Sequence, residues 1–134
     1  MQLGAETSQR LQHVDIDLVG KTNLNDVVSI LSESKLHLDN ESGLVHIATS
    51  LGVKCCVCFG PTPVDFFGYE ENINLAPAQC GGCWWSTRDW MEQCPRGFEK
   101  PICMESISPR LVTEKAYDFL EKIISKTSIL ECTK

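Results

Sequence analysis

A short stretch of the sequence places an acid, a hydroxyl, a glycine and an imidazole where a helix is expected to begin. These residues are Glu41, Ser42, Gly43 and His46. The first N–H groups of a helix have no partner within it, and the helix dipole favours negative charge there. The stretch therefore predicts a site for a phosphate-like anion. Gly60 and Thr62 follow the next predicted strand and are expected to face the same ligand, because open α/β sheets bind ligands at the carboxyl ends of their strands.

These residues also have ordinary structural explanations. Gly43 and Gly60 fit normal turn chemistry, and a single histidine such as His46 is more often packed or capped than catalytic. Residues 20–22 (GKT) are similar to the end of a phosphate-binding P-loop, but that motif needs a glycine where this chain has Asp15. A P-loop is excluded, and the anion-site hypothesis depends on the convergence of the two glycine loops.

A segment rich in cysteine and tryptophan, residues 77–107 (the Cys/Trp segment), could hold a metal. Its cysteines have the spacing C-x2-C-x10-C-x8-C, at Cys80, Cys83, Cys94 and Cys103. Four thiolates can form a closed tetrahedral Zn²⁺ site, and a loop with little core gains order from such a site. The alternatives are free or packed thiols, then a disulfide or an iron–sulfur cluster.

The other cysteines and the tryptophans have simpler interpretations. Cys55, Cys56 and Cys58 fall in a continuous apolar run and are expected to behave as small buried side chains. Cys132 receives no role. Two interpretations remain open for the tryptophans, which would either cover the edge of the sheet or stack on a sugar; they are Trp84, Trp85 and Trp90.

Strands and helices alternate along the chain, which predicts an α/β fold with a parallel sheet. The predicted strands are residues 14–19, 36–38, 53–59 and 72–75, and the predicted helices are residues 5–12, 24–31, 44–51 and 109–126. The helix at 44–51 has an apolar stripe at i, i+3, i+4 and i+7, formed by Leu44, Ile47, Ala48 and Leu51. Gly52 is expected to end that helix.

Length, net charge and apolar content together exclude some classes of protein. The chain has 134 residues, which is about one domain, and a net charge of −6, which argues against a nucleic-acid partner. No apolar run approaches the ~20 residues of a membrane span. Eight cysteines without a secretory start predict a cytoplasmic protein. The abrupt start in the middle of an element predicts a fragment of a longer protein.

Several motifs together resemble the C-terminal domain of family 9 glycosyltransferases, the heptosyltransferases of lipopolysaccharide assembly and their relatives. The motifs are residues 4–6 (GAE), 20–24 (GKTNL), 41–48 (ESGLVHIA), 51–53 (LGV), 59–62 (FGPT), 67–69 (FGY) and 103–107 (CMESI). The resemblance implies a Rossmann-like parallel sheet with flanking helices, as the C-terminal half of a GT-B fold. It covers about residues 1 to 125, with the irregular Cys/Trp segment as an insertion.

The resemblance also implies roles for individual residues. Glu6 would contact the ribose hydroxyls of a nucleotide-sugar donor, and Thr22 would lie along its base. Backbone N–H groups would contact the diphosphate; they belong to Ser42, Gly43 and Leu44. His46 would stand near the phosphates or the sugar. Glu41 replaces the aspartate that is usual in the family, and its side chain is one methylene longer.

The implied function is the donor-binding part of an inverting glycosyltransferase that moves a heptose-like sugar from a nucleoside diphosphate, ADP-heptose-like, to a glycan or lipid-linked saccharide. The missing N-terminal Rossmann-like domain would supply the acceptor site and the base, so the chain alone would be inactive. The chemistry would need no cofactor, and any zinc would be structural. The protein would be cytoplasmic or peripheral to the inner membrane. The alternative is a non-catalytic nucleotide-binding or zinc-binding interaction domain.

Overall fold

A parallel three-stranded sheet lies at the centre of the computed structural model, which describes residues 1–131. Its strands are β1 (His37–Asn40), β2 (Cys55–Cys58) and β3 (Ile73–Leu75), in the order β1-β2-β3. The helices are α1 (Leu24–Ser32), α2 (Gly43–Ser50), α3 (Val64–Phe67), α4 (Ile102–Glu105) and α5 (Pro109–Glu131). This architecture confirms the predicted α/β, Rossmann-like fold class.

The central strand β2 is covered on both faces, as its continuous apolar sequence predicted. It pairs in parallel with β1 and with β3. Val57 packs on one face with Leu31, Val45 and Phe59, whereas Cys56 packs on the other face with residues that include Ile107. Burial raises the pKa of the Cys56 thiol to about 11. The prediction that the cysteines of this strand act as buried apolar side chains is confirmed for Cys55 and Cys56, whereas Cys58 is half-buried.

Helix α2 connects β1 to β2, and residues 36–75 are called the βαβ unit below. Gly52 adopts a positive φ of 77° just after the helix, as predicted for its end. The predicted apolar stripe is partly confirmed, since Ala48 is buried and Ile47 packs against the core. Val45 is buried as well, although it was not predicted, and Leu51 is 39% exposed. The helix packs against α1 as well as against β1 and β2. Its buried side chains therefore cover a different part of its surface from those of a helix that packs on a sheet alone.

The N-terminal predictions were partly wrong. Residues 5–12 contain a turn instead of a helix, and residues 14–19 contribute only one parallel bridge, Gln2↔Asp17, instead of a strand. The Gln2 side chain binds the backbone of residues 9 and 11, which holds this segment in a non-helical form. The Asp17 carboxylate accepts the Val19 N–H that a strand ladder would need.

The boundaries of other elements also differ from prediction. Strand β1 begins one residue later and ends two residues later than predicted, whereas β2 and β3 are shorter than predicted. Helices α3 and α4 are single turns without a strong periodic signal. Helix α5 begins at Pro109 as predicted but extends past residue 126 to Glu131, because no glycine or proline interrupts it. Cys132 lies outside the described residues.

No helix within residues 1–131 combines the length and the apolar character needed to cross a membrane.

Candidate functional site

The start of α2 (residues 41–46, the α2 start) lies at the carboxyl end of β1, where the strand turns directly into the helix. Ser42 is the N-cap, and its Oγ accepts a hydrogen bond of 3.2 Å from the Leu44 N–H. The same hydroxyl donates to Asp39 Oδ2 over 2.6 Å. The cap is thus fixed from the strand side by Asp39, a residue that the sequence analysis did not assign to the site.

The cap decides which N–H groups remain for a ligand. Leu44 donates to Ser42 Oγ, and Val45 donates to the Ser42 carbonyl over 3.2 Å. In the described part of the chain, the N–H groups of Ser42 and Gly43 have no hydrogen-bond acceptor. The expectation that Leu44 also offers its N–H group is corrected, since the cap already uses it. A Cβ added at Gly43 would meet no atom within 4 Å, so this part of the backbone is open.

Two carboxylates at the α2 start each have an imidazole beside them. His46 Nε2 lies 3.3 Å from Glu41 Oε1, and His37 Nε2 lies 3.4 Å from Asp39 Oδ2. Burial by itself would raise the pKa of Asp39, but the neighbouring His37 ring and the hydrogen bond from Ser42 outweigh it and lower the pKa. Each imidazole can offset the charge of its carboxylate only in its protonated form.

His46 has a second partner that the sequence analysis did not find. Its Nδ1 lies 2.9 Å from the Tyr69 hydroxyl oxygen, and the two rings meet edge to face at 5.6 Å. Tyr69 belongs to the loop between α3 and β3, 23 residues away in sequence. The only sequence signal was the FGY motif at residues 67–69, which gave no indication of a contact with His46.

Glu6 and Thr22 lie on two loops that meet each other. Gly20 has a positive φ of 70°, and a Cβ at this position would be 3.1 Å from the Glu6 Cα. Glu6 is exposed and Thr22 is half-buried. Within residues 1–131, no hydrogen bond or ion pair joins these side chains to the α2 start. The structure therefore brings the two N-terminal loops together without joining them to the α2 start.

Gly60 and Thr62 line a cavity of about 390 Å³ at the carboxyl ends of β2 and β3. Arg96 contributes a cation to the same cavity. Gly60 itself is buried, and a Cβ there would lie 2.5 Å from Met104 Sδ. Packing under α4 is therefore sufficient to explain the absence of a side chain at Gly60. No hydrogen bond among the described residues connects Gly60 or Thr62 with the α2 start.

The four cysteines of the Cys/Trp segment surround two neighbouring cavities. Cys83, Cys94 and Cys103 line one of about 470 Å³, whereas Cys80 lines the cavity that contains Gly60. All four thiols are free. Burial raises the pKa of Cys103, and the nearby Cys80 and Cys83 thiols raise it further. Over residues 1–131, no three side chains of metal-binding type are close enough together to hold an ion.

The tryptophans form an aromatic cluster that reaches back toward the α2 start. Trp84 meets Phe67 edge to face at 5.0 Å, and Phe67 lies 6.5 Å from the His46 ring. Trp85 packs on Trp84 at 5.8 Å but is 67% exposed. The cluster therefore joins the Cys/Trp segment to the side of the βαβ unit that carries His46.

Comparison with known proteins gives a match to residues 4–94, which include the βαβ unit. The family model of glycosyltransferase family 9 (heptosyltransferase) matches residues 4–94. Lipooligosaccharide heptosyltransferase 2 of Haemophilus influenzae is 35% identical over 58 residues, which are 43% of this chain and 17% of that protein. No solved structure matches the chain significantly. The family match covers more than half of the chain and includes the whole βαβ unit, so this chain belongs to glycosyltransferase family 9.

Proposed function

We propose that this chain forms the donor-binding part of a glycosyltransferase that uses a nucleoside-diphosphate sugar. The observation that carries the proposal is the open start of α2. It presents the free N–H groups of Ser42 and Gly43 at the carboxyl end of a parallel strand, inside the region that matches the family. A helix start of this kind favours a diphosphate through both its N–H groups and its dipole.

The other loops of the chain are proposed to contact the remaining parts of the donor. Glu6 binds the ribose hydroxyls and Thr22 lies along the base, which requires the donor to extend from the α2 start toward the N-terminal loops. Glu41 and His46 face the sugar and the phosphates. The second glycine loop, with Gly60 and Thr62, contributes from the neighbouring strand end. We assign a heptose-like sugar because the matched relative is a heptosyltransferase, and we propose an adenosine or uridine diphosphate as its carrier.

The proposed reaction is an inverting sugar transfer without a metal in the chemistry. An acceptor hydroxyl oxygen forms a bond to the anomeric carbon while the bond from that carbon to the diphosphate oxygen breaks. A base takes the hydroxyl proton, and the diphosphate leaves with the electron pair. The α2 start stabilises the negative charge that develops on this leaving group.

The other half of the reaction belongs to a second Rossmann-like domain in a GT-B arrangement. The match spans 17% of the curated heptosyltransferase, so a complete enzyme of that kind has room for such a domain. We place the base and the acceptor site there, with a lipopolysaccharide or other cell-surface glycan precursor as acceptor, and we expect this chain alone to be inactive. Its free thiols fit a cytoplasmic location, either free or peripheral to the inner membrane.

A nucleotide titration followed by NMR tests the proposed site. Addition of ADP or UDP is expected to shift the amide signals of Ser42, Gly43 and Thr62, because these groups lie at the two glycine loops. Affinity as weak as millimolar is consistent with the proposal, since half of the cleft is on the other domain. A response confined to residues 80–103 would contradict the assignment.

We also propose that the Cys/Trp segment binds one structural zinc ion. The support is that three of its four thiols line one cavity and that the fourth, Cys80, lies near Cys103. Because the described side chains are too far apart to hold an ion, binding would require the thiols to move closer together. No role in sugar transfer is assigned to this zinc.

Metal analysis of protein purified under reducing conditions tests the zinc proposal. Close to one zinc ion per chain is expected, with loss of zinc in Cys83→Ser and Cys94→Ser. Ser86→Ala, in the same segment but without a thiol, should retain the metal. Metal-free wild-type protein in which all four thiols react with a thiol reagent would refute the proposal.

A further inference from the structure

Two side chains of the α2 start and one from a distant loop form a polar row, Glu41–His46–Tyr69. The His46 ring lies in the middle, with Nε2 at 3.3 Å from Glu41 Oε1 and Nδ1 at 2.9 Å from the Tyr69 hydroxyl. Both ring nitrogens therefore have a partner, although part of the ring is exposed. The proposed function uses Glu41 and His46 but gives no role to Tyr69.

The chemistry of the partners decides where the protons of His46 are. An ionised carboxylate has no proton to donate, so the ring form that suits Glu41 Oε1 at 3.3 Å carries its proton on Nε2. In the neutral ring, Nδ1 then accepts from the Tyr69 O–H. If the ring gains a second proton, Nδ1 becomes a donor and the Tyr69 oxygen accepts. The phenol can take either role, so both contacts persist in both charge states.

Hydrogen bonds hold the backbone of Tyr69 in place. Its carbonyl oxygen accepts from the Asn72 N–H over 3.0 Å and from Asn74 Nδ2 over 2.8 Å. The buried Asn72 side chain in turn accepts from the Cys55 N–H over 2.9 Å and donates to Thr49 Oγ1 over 2.8 Å. The loop that carries Tyr69 is thereby attached to both β2 and α2.

We propose that Tyr69 is a positioning residue for His46. It fixes the ring plane and holds Nδ1, so that the imidazole stays in one orientation beside the free N–H groups of Ser42 and Gly43. A ring held in this way can become positively charged next to a diphosphate without losing a contact. This inference depends on the proposed function for its ligand, because only the proposed function places a diphosphate there.

The test combines the ¹⁵N resonance of the His46 ring with nucleotide binding in three proteins: wild type, Tyr69→Phe and Tyr117→Phe. Tyr117 lies on α5 and is 63% exposed, which makes it the matched control. In Tyr69→Phe, the neutral-ring Nδ1 resonance should move toward the value of a nitrogen without a hydrogen bond. ADP and UDP affinity should fall roughly fivefold, the size expected of one neutral hydrogen bond. Tyr117→Phe should change neither quantity.

Each failure has a different meaning. An Nδ1 resonance that is the same in wild type and Tyr69→Phe overturns the inference, whatever happens to nucleotide binding. A changed resonance with unchanged affinity overturns the role in ligand binding. If wild-type protein binds neither ADP nor UDP, the proposed function fails and the ligand half of the inference fails with it, while the resonance still reports whether Tyr69 holds the ring.

Discussion

The βαβ unit and the Cys/Trp segment are neighbours in the chain but differ in how they are ordered. In the βαβ unit, β2 has strand partners on both sides and its side chains are almost fully buried. In the Cys/Trp segment, several backbone hydrogen bonds close local turns, such as Gly97 N–H to the Cys94 carbonyl. Large apolar side chains there remain in solvent, and Met91 is 78% exposed.

Different contacts stabilise the two regions. The βαβ unit has a core that accounts for its structure through burial and ladder hydrogen bonds. The Cys/Trp segment has little core of its own and instead packs on the unit, through Gly82 N–H to the Gly60 carbonyl and Trp84 N–H to the Pro61 carbonyl. The α2 start therefore lies on the region that has a core of its own, and the segment covers the other face of β2 by packing Ile107 against Cys56.

The largest expected effect comes from removing an aromatic side chain from each region. Phe59 is fully buried in the core of the βαβ unit, so Phe59→Ala should lower the free energy of unfolding by about 3–5 kcal/mol. Phe98 in the Cys/Trp segment is 45% exposed, so Phe98→Ala should cost less, about 1 kcal/mol. Denaturant unfolding measures both values. Equal losses would mean that the two regions share one core.

A smaller effect is expected at the contact between the regions. Gly60→Ala places a Cβ against Met104 Sδ and should destabilise the protein by about 1–3 kcal/mol through overpacking. The added variant Met104→Ala removes the obstructing sulfur, so the double variant should lose less stability than the two single losses added together. Thermal unfolding of the four proteins measures this coupling. Simple additivity would show that α4 does not press on Gly60.

The smallest effect concerns acid stability. The pKa of Asp39 is lower in the folded protein than its ordinary value of 3.8. Ionised Asp39 therefore stabilises the fold above pH 3.8, and this contribution is lost as pH falls through the folded pKa. Asp39→Asn should be less stable than wild type at pH 7, with the difference shrinking on acidification.

The matched control for this pH effect is Asp89→Asn, at an exposed carboxylate in the Cys/Trp segment. Its unfolding free energy should follow that of wild type between pH 2 and pH 7, about the range over which carboxylates titrate. If Asp39→Asn shows the same pH profile as wild type, the Ser42 cap does not depend on an ionised Asp39.

Several strand and helix positions could be predicted from local sequence. The apolar run of β2, the helix end at Gly52 and the start of α5 at Pro109 are local signals, and the structure confirms each. The N-terminal helix and strand could not be predicted correctly, because the side chains of Gln2 and Asp17 bind backbone groups there. Such competition depends on contacts between residues several positions apart, which periodicity does not report.

The candidate site was only partly predictable for a related reason. Glu41, Ser42 and His46 are close in sequence, so one helix start places them together. Tyr69 reaches His46 from another loop, and nothing in the local pattern indicates that contact. For Gly60 the sequence offered a ligand contact or turn chemistry, whereas the structure shows packing against Met104, a contact between distant residues that local sequence does not report.

The central claim is that a diphosphate binds the open backbone at Gly43, and Gly43→Ala tests it most directly. The added methyl group meets open space in the fold, and alanine favours the helix by roughly 0.5–1 kcal/mol. The control Ser50→Ala changes the opposite end of α2. Calorimetric titration with ADP and UDP, together with the melting temperature, should show Gly43→Ala as stable as wild type or more stable, with affinity reduced at least tenfold. Unchanged affinity in Gly43→Ala would contradict the account, because the diphosphate would then lie elsewhere.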